Sequence, residues 1–269
     1  IHDTIKPHAI VLGGYRTKFM NNTRKFFSRF NPNTPIIITN HQTAEMIKYA
    51  NNSFLATKIS FINQLASICQ KIPDTNIDDI AQTIGLDPRI GNLFLDAGPG
   101  YGGSCLPKDM KAIINLSSKV GVKPTMLNAV EKTNKQQINN IIELIKQNIG
   151  KIKGKKITVL GVAFKPNTDD IRDSMSIELI RRLIKLDAIV TIHDPKALDN
   201  ARKIFRDNTK YANSIPSALK NCQCVVIMTK WKEYEKINNK TIEHMNKKFI
   251  IDTRRILSNK NLDAKYFAI

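Results

Sequence analysis

The sequence predicts an α/β protein in which a long central helix and a helical region lead into a doubly wound parallel-sheet domain, preceded by the remnant of a first α/β domain. Three features predict it. After residue 151, apolar runs of β type alternate with amphipathic stretches, the pattern of a parallel sheet covered on both faces. Residues 40–135 carry helical periodicity. Residues 1–39 hold one strand, one helix and one further strand.

The elements follow in order. Residues 9–12 form an apolar run closed by Gly13 and Gly14, a polar helical stretch continues through Phe27, and residues 35–39 make a second β-type run. So small a unit cannot hold a core unaided, and it reads as the tail of an α/β domain whose beginning is absent. Asn40 or Thr39 caps a long helix in which Leu55, Ile59, Ile62, Ala66 and Cys69 recur at spacings of four and three. A second stripe, Phe54, Phe61, Leu65 and Ile68, lies beside it. That width predicts packing on more than one side, as at a domain junction or dimer interface. Helical segments continue to about residue 148, broken by a loop at 87–106. Residues 136–155, polar and lysine-rich, are the expected hinge. Within 156–269, strands are expected at 156–164, 189–193, 224–229 and 249–252, with helices at 175–186 and 195–205.

Bulk properties narrow the function. The chain has 269 residues, 42% of them hydrophobic, enough for one large core or two modest ones. No apolar run reaches the roughly 18 residues of a membrane span and no signal peptide opens the sequence, so a cytoplasmic protein with no membrane partner is expected. A net charge of +19 favours phosphate-bearing ligands. The lysines are scattered rather than clustered with stacking aromatics, which argues against nucleic acid. Cys69, Cys105, Cys222 and Cys224 are unevenly spaced, and His2, His8, His41 and His244 lack ligand spacing, so neither a disulfide framework nor a metal site is expected.

The chemistry concentrates in Gly98-Pro99-Gly100-Tyr101-Gly102-Gly103-Ser104-Cys105-Leu106-Pro107-Lys108-Asp109. Its glycines let backbone N–H groups approach a ligand closely. Pro107 suits the first position of a helix that runs to Gly121. Cys105 therefore falls just ahead of a helix N-terminus, where the dipole and Lys108 favour its thiolate as a nucleophile. A glycine turn around a buried structural cysteine is the alternative. Gly98, Gly100 and Gly103 also fit G-x-G-x-x-G, but no strand precedes them and no second strand follows, so the dinucleotide reading is rejected. Lys48 and Asn52, one turn apart on the stripe of the long helix, are costly to bury unless something such as a ligand satisfies them; first turns that emerge into solvent are the alternative. His193 and Asp194, with Pro195 following, read as a strand-terminal turn. Cys222 and Cys224 read as core and face positions of one strand.

Four segments together resemble UDP-glucose 6-dehydrogenases of the UDP-glucose/GDP-mannose dehydrogenase family. They are residues 48–63, the loop 100–109, residues 161–174 (Gly-Val-Ala-Phe-Lys-Pro-Asn-Thr-Asp-Asp-Ile-Arg-Asp-Ser) and Asp252-Thr253-Arg254-Arg255. The resemblance covers essentially the whole chain in order. It implies a Rossmann-like C-terminal domain that holds UDP-sugar, a central dimerisation domain, and oxidation of UDP-glucose to UDP-glucuronate with NAD through a thioester on the enzyme. Cys105 is then the nucleophile, Lys48 and Asn52 stabilise the oxyanion, and Asp109 helps activate the hydrolytic water. Phe94, Leu95, Asp96, Ala97, Gly98 and Gly102 hold the sugar and nucleotide. Lys165 and Arg254 meet the UDP, Lys108 and Arg172 meet NAD, and Arg89 reaches a partner's site in a homodimer.

The resemblance implies four divisions: 1–39 as the tail of an NAD-binding domain, 40–135 as the central domain, 136–155 as the hinge and 156–269 as the UDP-sugar domain. The family's N-terminal glycine fingerprint, with its catalytic glutamate and threonine, has no counterpart in this sequence, so turnover by this chain alone is not expected. GDP-mannose as substrate and a non-catalytic nucleotide-sugar-binding fragment are the alternatives; Tyr101 tilts the reading towards UDP-glucose.

Overall fold

The computed structural model describes residues 6–269; His2 lies outside them. The chain divides into two compact units, Ile1–Phe54 and Leu55–Ile269. In the first, β1 (Ile10–Gly13) pairs in parallel with β2 (Ile36–Thr39), Ile10 opposite Ile36, and α1 (Thr17–Phe30) connects them. α1 buries none of its residues. The helix α2 (His41–Cys69) starts in this unit and continues into the next. Asn40 caps it as expected, its Oδ1 accepting from the Thr43 amide at 2.8 Å.

The second unit adds three helices, α3 (Ile77–Gly85), α4 (Leu106–Lys119) and α5 (Thr125–Ile149). It then builds a sheet from β3 (Lys156–Leu160), β4 (Ile189–His193), β5 (Lys210–Tyr211), β6 (Cys224–Ile227), β7 (Phe249–Asp252) and β8 (Lys265–Ala268). Every pairing is parallel, in the order β5-β4-β3-β6-β7-β8. The winding reverses between β3 and β6, the place where a doubly wound sheet opens a crevice at its carboxyl edge. Helices α6 (Met175–Lys185), α7 (Leu198–Phe205), α8 (Ile215–Leu219) and α9 (Asn239–Ile242) join the strands.

One large core joins β3, β4, β6 and β7 to α6 and to Ile138, Ile141, Ile142, Ile145 and Ile149 of α5. Residues 136–149 are thus the second half of one continuous helix whose apolar face lies in the sheet's core. Two smaller clusters serve α2. Ile62, Ala66, Leu65 and Cys69 pack with Ile77, Leu95 and Ala97; Ala56 and Ile59 pack with Tyr101, Met110 and Val130. Phe54, Phe61 and Ile68, seven residues apart along α2, stay exposed.

Several expectations need correction. β3 stops at Leu160 rather than 164, because Gly161 turns to φ +92. α7 starts at Leu198 rather than 195, because Asp194 Oδ1 accepts from the amides of Lys196 (2.9 Å) and Ala197 (2.7 Å) and holds those residues in a turn. β6 ends at Ile227, and Cys222 precedes it; Cys222 and Cys224 are both buried, so neither is a face residue. The edge strands β5 and β8 and the helices α8 and α9 were not anticipated. No helix among the described residues is long and apolar enough to cross a membrane.

Candidate functional site

Two buried asparagines set the glycine loop. Asn63, on α2, accepts from the Gly98 amide at 2.6 Å. Asn134, on α5, accepts from the Tyr101 amide at 2.8 Å and donates to the Tyr101 carbonyl at 3.0 Å. Gly100 has φ +103, and a Cβ there would lie 2.5 Å from Asn134 Oδ1. Gly103 (φ +84) would meet the Phe164 ring at 2.6 Å, and its amide donates to the Arg172 carbonyl at 3.1 Å. The loop is wedged between the helices and the segment after β3, which only residues without side chains permit.

This wedge delivers Cys105 to the N-cap of α4, with Pro107 in the first turn. Cys105 is exposed, its sulfur 3.7 Å from Ser104 Oγ. The alternative of a buried structural cysteine is thereby removed. Asp109 is buried, with the Lys108 ammonium 3.4 Å from its carboxylate. Arg172 forks onto Asp170 at 2.6 and 3.0 Å. That carboxylate raises the pKa of Arg172 above its ordinary value, with a smaller contribution from Cys105.

Two adjoining clefts share Asp96 and Arg254. One, of about 360 Å³, is lined by Asp78, Asp96, Ala97, Phe164, Lys165, Thr229, Lys230, Arg254 and Arg255. The other, of about 300 Å³, is lined by Ile59, Leu93, Phe94, Asp96, Gly98, Gly100 and Arg254. Arg254 donates from Nε to the Met228 carbonyl at 2.9 Å. Burial pushes its pKa down to about 10, so it stays a cation at neutral pH. Arg255 reaches Asp78 at 2.7 Å, the Ala97 carbonyl at 3.0 Å and the backbone oxygen of Ile269. A single guanidinium therefore ties α3, the 94–98 loop and the chain beyond β8 together.

The structure thus gathers Phe94, Asp96, Ala97, Gly98, Lys165 and Arg254 around the clefts, and Gly102, Cys105, Lys108 and Asp109 along the loop that meets Arg172. Leu95 is buried among Ile62, Ala66 and Ile77 and lines neither cleft. Tyr101 is buried with Ala56, Met110 and Val130. Arg89 stands apart, exposed and forked onto its own Asp87 at 2.6–3.1 Å. Lys48 and Asn52 belong to the first unit, one turn apart on α2, with Asn52 buried. Asn63, Asn134 and Arg255 were missed; the one signal for Asn63 was an amide beside Ile62 on a buried stripe.

A dinucleotide cradle requires backbone amides left open to phosphate. The turn after β3 offers none. In the glycine loop the space beside Gly100 and Gly103 is filled by Asn134 and Phe164. After β3, Asp194 Oδ2 accepts from the amides of Val162 at 2.7 Å and Ala163 at 3.0 Å. Lys108 and Arg172 are exposed cations, and the turn after β3 does not fit a pyrophosphate.

Fold and site define a doubly wound α/β protein of the nucleotide-binding kind, with a thiol on a glycine loop outside the sheet. The central domain of the UDP-glucose/GDP-mannose dehydrogenase family matches residues 42–136, and that family's UDP binding domain matches residues 158–259. The UDP-glucose 6-dehydrogenase of Rickettsia felis is 40% identical over all of this chain and 61% of its own length. The UDP-glucose 6-dehydrogenase TuaD of Bacillus subtilis is 38% identical over 98% of this chain and 57% of its own. The structure of a UDP-glucose dehydrogenase from the hyperthermophilic archaeon Pyrobaculum islandicum superposes with a TM-score of 0.88 at 31% identity, over 98% of this chain and 59% of that one. The chain belongs to the UDP-glucose/GDP-mannose dehydrogenase family. It spans about three-fifths of the length of these curated relatives.

Proposed function

We propose that the whole protein oxidises UDP-glucose to UDP-glucuronate and that this chain supplies the nucleophile and the nucleotide-sugar clefts. The observation that carries the reading is Cys105, exposed at the start of a helix on a loop whose upstream end, Gly98 and Gly100, lines a cleft with Arg254. NAD, bound to the whole protein, would accept a hydride in each of two oxidations, the alcohol to the C6 aldehyde and the thiol adduct to a thioester. Cys105 Sγ adds to the carbonyl carbon of the C6 aldehyde to form a C–S bond. After oxidation of that adduct, water oriented with the help of Asp109 cleaves the C–S bond, releasing the carboxylate and the thiol. Lys108 and Arg172 would hold the cofactor's phosphates. Lys48 and Asn52 take their oxyanion role, and Arg89 its role across a dimer, from the sequence pattern alone.

Further parts belong to the same proposal. The divisions at 39, 135 and 155 separate the working parts, a homodimer covers the exposed stripe of Phe54, Phe61 and Ile68, and the protein works in the cytoplasm. NADH formation from UDP-glucose by the whole protein tests the reading. Replacement Cys105→Ala should lower turnover by about a thousandfold or more. Retention of the parent rate, or preference for GDP-mannose over UDP-glucose, would refute it.

A further inference from the structure

Three neighbouring strands each place a cation just beyond their carboxyl ends. Lys165 follows β3, Lys230 follows β6 and Arg254 follows β7, and all three line the same cleft. This is the crevice where the winding of the sheet reverses. The position of Lys230 is set by its neighbours. Thr229 is buried and donates to the Ala163 carbonyl at 2.6 Å; Trp231 is buried and donates from Nε1 to Asp194 Oδ2 at 3.2 Å. With both flanking side chains pinned inward, Lys230 is exposed on a turn that cannot easily swing away.

Charge in the cleft is unbalanced. Its cations are Lys165, Lys230, Arg254 and Arg255, and its acids are Asp78 and Asp96. Arg255 is paired with Asp78 at 2.7 Å, and Asp96 acts on Arg254. Lys230 remains over, while Lys165 is balanced in part by Asp170, which already holds Arg172. Lys165 lies 5.5 Å from the Phe164 ring centroid, and Lys230 pairs with no acid among the described residues. Two ammonium groups that close no ion pair among the described residues match a ligand with two adjacent anionic groups.

We propose that Lys230 is the second arm of a two-lysine clamp for a diphosphate, with Lys165 as the first, and that the pair makes this cleft prefer nucleoside diphosphates over monophosphates. The proposal rests on the reading of the cleft as a nucleotide-sugar site and adds a residue to it.

Calorimetric titration of the chain with UDP-glucose, UDP and UMP tests it. Lys230→Ala should weaken UDP and UDP-glucose about tenfold and UMP by less than about twofold. Lys230→Arg should restore the preference, and Lys230→Glu should weaken diphosphate binding further. The side chain is exposed, so unchanged melting temperatures verify that the variants are folded. Parent-level UDP binding in Lys230→Ala, or an equal loss for UDP and UMP, overturns the clamp while leaving the site in place. Failure of the parent chain to bind UDP at all overturns the reading beneath it.

Discussion

Cys105 and Cys224 put the same side chain into opposite environments. Cys224 opens β6 in the middle of the sheet, fully buried, and burial drives its thiol well above the ordinary range. The adjacent Cys222 is pushed up to about 11 by the same cause. Cys105 stands outside the sheet at a helix N-cap, exposed, on a loop fixed by two asparagines. The difference teaches that a cysteine's chemistry here is set by what the backbone around it is tied to.

That contrast can be broken or sharpened by experiment. The largest expected effect is on alkylation by iodoacetamide under native conditions. Cys105 should react at least about a thousandfold faster than Cys224, whose modification must wait for the sheet to open. Peptide mapping over time would show it, and similar rates would end the comparison. Next, Cys224→Ser should cost about 1–3 kcal/mol in urea unfolding, since it buries a hydroxyl among hydrocarbon, whereas Cys105→Ser should stay within about 0.5 kcal/mol. Asn134→Ala should cost about 1–2 kcal/mol by stranding the Tyr101 amide and carbonyl. It should also change the alkylation rate of Cys105 severalfold, while Asn134→Asp, which keeps the acceptor, should restore part of it.

The smallest effect concerns pH. Burial lowers the pKa of His193, whose ring nitrogen lies 3.0 Å from the Tyr234 hydroxyl. The unfolded chain therefore binds the proton more readily. Its contribution to stability is complete above about pH 6.5 and drains as pH falls through that value towards the folded pKa. Urea midpoints between pH 5 and 7.5 should fall on the acid side, and His193→Gln should flatten the slope; an unchanged slope would show that other groups carry it.

Much of this was legible in the residues themselves. β4 and β7 fall where Ile189–His193 and Phe249–Asp252 announce them, because an apolar run between polar ends has one sensible place in a parallel sheet. The helix after Cys105 was readable from Pro107. β5 was not, since two residues carry no period, and β8 reads Lys-Tyr-Phe-Ala with only partial burial. The tethering role of Asn134 is invisible in one dimension, because its partner Tyr101 lies 33 positions away. Lys230 was equally hidden, its importance lying in which strands stand beside β6.

Arg255 carries a mechanical implication. Its three bonds make the 94–98 loop and the backbone at Ile269 share one fastening. Fraying of the outermost strand should therefore loosen the rim of the ligand clefts, and a ligand that steadies the rim should slow amide exchange in β8 by the same linkage.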